Sequence, residues 1–271
     1  YYMISKISMF LDHIKKFIIV ILASYLASCS IPKTDLSLDQ ATLLEIKEGK
    51  IIGSNNGKTY QWLGIQYGSI PDSSYRWKRG AETEKWDGVY EALEFGNTCV
   101  QKGSLINTTK RRNWGDIVGS EDCLYLNVWA PRDVFDDLSQ SKPVMVWIHG
   151  GSNVSGNADF YDPSELVSSQ DVIVVSINYR LGPFGWFRHP DITSTAQNPE
   201  DQSGNYGNIE PIQALEWVQR NIEFFGGDSS NITIFGESAG GYNVAALLSA
   251  KQANGLFHKA IIQSGGIRPG D

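Results

Sequence analysis

The chain has 271 residues, 41% of them hydrophobic and 11% aromatic, which is enough apolar side chain for a large core and excludes a disordered polypeptide. Its formal net charge of -7 understates the acidity of the body, because residues 1–28 carry Lys6, Lys15 and Lys16 against Asp12 alone. Such a surface repels phosphate backbones, so no nucleic-acid partner is expected, and no metal site either, since His and Cys show no ligand spacing.

In chain order, Lys15 and Lys16 precede an apolar run over 17–26, too short for a bilayer core of about 30 Å, and Leu26-Ala27-Ser28-Cys29 closes it. This resembles a bacterial lipoprotein signal, which implies cleavage before Cys29 and lipidation of its thiol, tethering an exported protein to a membrane without crossing it. An ordinary secretory signal is the rival reading. Ser30 after the cysteine points to outer-membrane sorting, and Met3 or Met9 is the expected start because the chain opens Tyr1-Tyr2. The expected organisation is a signal peptide over 1–28, a tether over 29–40 and one domain over 41–271.

Strand-like patches follow at 41–46, 50–52 and 59–64, and residues 107–119, with Lys110, Arg111 and Arg112, read as a solvated loop. Core strands are predicted over 124–129, 144–148, 172–177, 232–235 and 260–262. The wholly apolar stretch 144–148 is expected to be buried on both faces. The clearest helix runs from about 210 to 224, where Ile212, Leu215, Val218 and Ile222 form one apolar stripe.

Two motifs carry chemistry. Gly236 and Gly240 flank Ser238 in Gly-x-Ser-x-Gly spacing, between a predicted strand and a helix that opens on Ala239, Gly240 and Gly241. This is a nucleophile elbow: the turn forces Ser238 into strained backbone angles that only small neighbours tolerate, and it presents the hydroxyl at a helix N-terminus. Upstream, the strand over 144–148 ends in His149, Gly150 and Gly151, whose unobstructed N–H groups suit an anion. Acyl transfer builds negative charge on a carbonyl oxygen, so Gly151, Ser152 and Ala239 are assigned as its N–H donors. Each motif alone also fits an ordinary glycine turn.

Further blocks run in order along the chain: Glu121-Asp122-Cys123-Leu124-Tyr125-Leu126-Asn127-Val128, Asn178-Tyr179-Arg180-Leu181-Gly182, Gly204-Asn205-Tyr206-Gly207, Phe225-Gly226-Gly227-Asp228 and Gln263-Ser264-Gly265. With the two motifs they resemble the type-B carboxylesterase family. The resemblance implies an α/β-hydrolase fold, with a mostly parallel central sheet, helices on both faces and N-terminal antiparallel strands. It implies a serine ester hydrolase acting through an acyl-enzyme on Ser238 toward a small-molecule ester, with no cofactor. It also implies that Glu237 and Ser264 help to orient the catalytic histidine, as an alternative to being buried polar groups satisfied in the core. Cys99 and Cys123 match positions where a disulfide closes a surface loop, two reduced thiols being the alternative.

Three departures accompany the resemblance. The family usually shows three glycines and then an aromatic, where this chain has Gly150, Gly151, Ser152 and Asn153, placing polarity at an expected acyl-pocket wall. Glu210-Pro211 stands where Asp-Gln is common, and the proline is acceptable in a first helical turn. The triad order serine, acid, histidine requires a histidine after Ser238, yet His13 lies in the leader, His149 in the glycine loop, and His189 and His258 in structural contexts. The chain is therefore expected to be the N-terminal part of a longer protein with its acid and base beyond residue 271. A non-catalytic hydrolase-fold binding protein and an inactive remnant are the contrasting readings.

Overall fold

Residues 37–104, 114–137 and 139–266 are described by the structure, a computed structural model. The predicted leader, Cys29 and residues 107–113 lie outside them.

Period-two alternation builds the central sheet. Its strands are β1 (Ser54–Asn55), β2 (Thr59–Gln66), β3 (Tyr125–Pro131), β4 (Lys142–Ile148), β5 (Ile173–Ile177), β6 (Gly227–Glu237) and β7 (Lys259–Gln263). They lie side by side in the order β7-β6-β4-β5-β3-β2-β1. Pairing is parallel from β7 through β6 and β4 to β5. From β5 through β3 and β2 to β1 it is antiparallel. The mixed sheet thus has its antiparallel strands toward the N-terminus, as the resemblance implies.

The helices that matter for the site are α1 (Ser164–Gln170), α2 (Tyr206–Asn221) and α3 (Ala239–Ser249). One set of strand side chains, including Val144, Val146, Ile148, Val175, Ile232 and Ile234, clusters with Leu215, Trp217 and Val218 of α2 and Val244 of α3. The alternate set, Leu63, Trp129 and Val174, clusters with Val167 of α1 and, partly buried, Met145 and Phe235. Helices therefore cover both faces, because alternate side chains point to opposite sides.

Register brings the site together. Gly236 of β6 pairs with both Ile148 of β4 and Ile262 of β7, so the carboxyl ends of these three strands are level. That edge is where ligands bind in sheets of this kind.

Several expectations are corrected. Residues 41–46 are not one strand: Asp39 caps a 3-10 turn, Gln40–Thr42, by accepting from Ala41 N–H at 3.0 Å, and only Leu44–Glu45 pairs as a strand. The packed body takes in Leu38, which bridges to Ser54. The predicted loop over 107–119 ends in a strand, Ile117–Val118, paired with Gln101–Lys102. Along β4, Val144, Val146 and Ile148 are buried but Met145 and Trp147 only partly.

Helix α2 begins at Tyr206, a turn earlier than predicted, so Pro211 sits in its second turn and not its first. Gly204 at φ 73 breaks the chain direction just ahead of it, and burial offsets the lost proline N–H. Ile212, Leu215 and Val218 are buried as the stripe predicts, while Ile222 falls in the following 3-10 turn, Ile222–Phe225.

Candidate active site

β6 runs straight into α3 through one residue, Ser238, at φ 54 and ψ -119. Such angles cost a non-glycine residue about 1–3 kcal/mol and persist only where neighbours over-determine them. Here Ser238 N–H donates to the Gln263 carbonyl at 2.9 Å, and its own carbonyl accepts from Tyr242 N–H at 3.1 Å. The flanking glycines are required by close approach. A Cβ on Gly240 would lie 2.0 Å from the Ile148 carbonyl oxygen, and one on Gly236 would lie 2.6 Å from the Gly240 carbonyl carbon. Without side chains at these positions, helix α3 packs directly on the end of β4.

Beyond Ile148 the chain turns through three consecutive left-handed residues, Gly151 (φ 106), Ser152 (φ 57) and Asn153 (φ 57). The turn closes on the Gly151 carbonyl, which accepts from Ser155 N–H at 3.0 Å and Val154 N–H at 3.1 Å. Among the described residues, no acceptor takes the N–H of Gly151 or Ser152. The N–H of Ala239, in the first turn of α3, has no partner within its helix. The loop lies against the elbow: a Cβ built on Gly150 would be 3.3 Å from Ser238 Cβ and 2.6 Å from the Glu237 carbonyl oxygen. The structure thus brings Ser238, Gly151, Ser152 and Ala239 to one corner.

The remaining predicted residues surround that corner. Glu237 is partly buried and helps line a cleft of about 200 Å³ with His149, Gly150, Gly151, Phe160 and Tyr161. Larger cavities of about 400 and 560 Å³ share no lining residue with the elbow. Ser264 follows the carbonyl that holds Ser238, sits at φ 52 and is exposed. Cys99 and Cys123 are joined by a disulfide.

Each described histidine faces a backbone group through Nδ1. Burial pushes the His149 imidazole down to about 4, and the ring stacks on Tyr179 at 4.4 Å between centroids with Nδ1 2.8 Å from the Gly150 carbonyl. His258 Nδ1 accepts from Ile232 N–H at 3.1 Å, and His189 caps a short helix through Asp191 N–H.

Sequence reasoning missed what holds the glycine loop. Tyr179 Oη donates to the His149 carbonyl at 2.6 Å, and the amide of buried Gln101 brackets Gly156, accepting from its N–H at 2.8 Å and donating to its carbonyl at 2.9 Å. Asn153, at the position where polarity was expected on an acyl-pocket wall, is engaged by a side chain of α3. Its amide pairs with that of Asn243 in α3. The signal for Tyr179 was its place in a family block; for Asn243 it was an amide in an otherwise small or apolar helix.

A serine held in a strained strand-to-helix turn, beside free backbone N–H groups at the carboxyl edge of a mixed, helix-covered sheet, defines an α/β hydrolase. The chain belongs to the carboxylesterase family, whose model matches residues 40–268. It is 42% identical to para-nitrobenzyl esterase of Bacillus subtilis (strain 168) over 222 residues, 81% of this chain and 43% of that protein. It is 38% identical to carboxylesterase 1E of Mus musculus over 259 residues, 92% of this chain and 43% of that protein. Among solved structures, a thermophilic PNB esterase matches with a TM-score of 0.73 at 41% identity, covering 84% of this chain and 45% of that one. The chain thus spans less than half the length of these relatives.

Proposed function

We propose that the whole protein is a serine carboxylic-ester hydrolase for small-molecule esters. The observation that carries this reading is Ser238 at φ 54, ψ -119, with the glycine loop so close that a Cβ built on Gly150 would lie 3.3 Å from Ser238 Cβ. Ser238 Oγ attacks the ester carbonyl carbon while a histidine takes its proton, and the C=O electrons move onto the oxygen. The N–H groups of Gly151, Ser152 and Ala239 receive that oxyanion, each worth about 3 kcal/mol in the transition state. Collapse of the intermediate expels the alcohol, which takes the proton from the histidine, and leaves an acyl-enzyme. Water, deprotonated by the same histidine, then releases the acid and restores Ser238. Because burial keeps His149 from taking up a proton and the Nδ1 atoms of His258 and His189 face backbone N–H groups, none of the described histidines is assigned as the base; the base and its acid are assigned to the part of the relatives' length that this chain does not span, with Glu237 and Ser264 orienting the histidine.

Para-nitrobenzyl and short-chain aryl esters are the trial substrates. In the full-length protein, Ser238→Ala should lower turnover by about 10³-fold or more with an unchanged circular dichroism spectrum, and should abolish fluorophosphonate labelling. Undiminished turnover in that variant sinks the reading.

Export and lipid anchoring at Cys29, at the outer membrane, complete the proposal. They are supported by Lys15-Lys16, the apolar run and Leu26-Ala27-Ser28-Cys29, and by the Cys99–Cys123 disulfide, since such bonds persist in oxidising compartments. Expressed in a bacterium, the protein should partition into the membrane fraction and Cys29→Ala should not; equal partitioning of the two rejects the anchor.

A further inference from the structure

Two side-chain amides face each other where the glycine loop meets helix α3. Asn243 Nδ2 donates to Asn153 Oδ1 at 3.0 Å, and Asn153 Nδ2 donates to Asn243 Oδ1 at 3.3 Å. Asn243 is only 3% exposed, so either amide left alone would carry unmatched donors and acceptors at a buried site. Tyr179 Oη also lies 3.4 Å from Asn153 Oδ1, besides its bond to the His149 carbonyl. The Asn153 carbonyl accepts from Gly182 N–H at 2.7 Å.

We propose that Asn153 and Asn243 form an amide latch that positions the oxyanion donors against the nucleophile. The inference rests on the esterase reading of Ser238. Asn153 directly follows Ser152, and Asn243 lies in the helix that starts after Ser238 and carries the Ala239 N–H. The pair therefore ties the element holding two donors to the element holding the nucleophile and the third. Three successive left-handed residues keep one geometry only when surrounding contacts over-determine them. Asn tolerates that backbone region better than most residues, so Asn153 serves both the turn and the latch. The latch replaces the aromatic side chain that the family usually carries after its glycines.

The test uses the full-length protein with an aryl ester. Asn153→Ala and Asn243→Ala should each lower kcat by about 10- to 100-fold, the scale of a misplaced oxyanion donor, and shift KM by less than about 3-fold. The double variant should be no slower than the slower single one, because both remove the same link. Asn153 is only partly buried, so its variants keep the proposal testable even where Asn243→Ala unfolds. Asn153→Ala within twofold of the parent in kcat, losses that multiply in the double variant, or a change confined to KM overturns the latch. A parent without Ser238-dependent turnover overturns the esterase reading and the latch with it; an active parent with indifferent variants overturns the latch alone.

Discussion

His149 illustrates how one residue serves the site without reacting. The residue is 2% exposed and its ring stacks on Tyr179; burial disfavours the charged form and outweighs the opposite pull of the Gly150 carbonyl beside Nδ1, so its pKa falls to about 4. An unfolded histidine titrates near 6.5, so between these values the unfolded chain binds more protons. The contribution to stability is therefore complete above about pH 6.5 and is lost as pH falls through about 4, on the order of 3 kcal/mol in all. Denaturant titrations at pH 7.5, 5.5 and 4.5 should show this decline in the parent and a flatter one in His149→Gln. Equal slopes would show that His149 is not held neutral by burial. The Ser238 strain belongs to the same scale, since it is legible from the small residues at fixed offsets on either side.

Between elements, a buried ion pair joins helix α2 to the segment after β5. Arg180 and Glu210 are 1% and 0% exposed, and the Glu210 carboxylate also accepts from Arg180 N–H at 2.7 Å. The guanidinium reaches on to the carbonyls of Tyr75 and Lys78, so three segments distant in sequence meet at one cation. Removing one partner strands the other charge in the core. Arg180→Met should cost about 3–5 kcal/mol in urea unfolding, and adding Glu210→Leu should recover much of it. A double variant as unstable as the single one would show that packing, not the stranded charge, sets the loss. Both residues stand in motifs visible in the sequence, yet their pairing is not, because nothing in the local pattern of α2 marks Glu210 as facing inward. The same blindness shifted the predicted start of α2, where Pro211 reads locally as a first-turn residue.

For the molecule as a whole, the order and register of the strands decide where chemistry is possible. The carboxyl ends of β4, β6 and β7 are level, which sets the glycine loop, the elbow and Gln263 side by side. The Cys99–Cys123 disulfide closes a segment containing the Gln101 amide that brackets Gly156, so a covalent staple lies behind the loop as well. No helix among the described residues is long and apolar enough to cross a membrane.

From its sequence alone, this protein shows which residues can form the reacting corner. The Gly-x-Ser-x-Gly spacing and the glycines after the strand over 144–148 are local patterns, as is strand alternation, although it is the close approach of the elbow to Ile148 and of Gly150 to Glu237 that requires glycine at 240 and 150. Only the tertiary structure decided which side chains brace that corner. Asn153 meets Asn243 across 90 residues, Gln101 meets Gly156 across 55, and Arg180 meets Glu210 across 30. Such partners are chosen by which buried donors and acceptors packing leaves facing one another, a condition no local periodicity expresses.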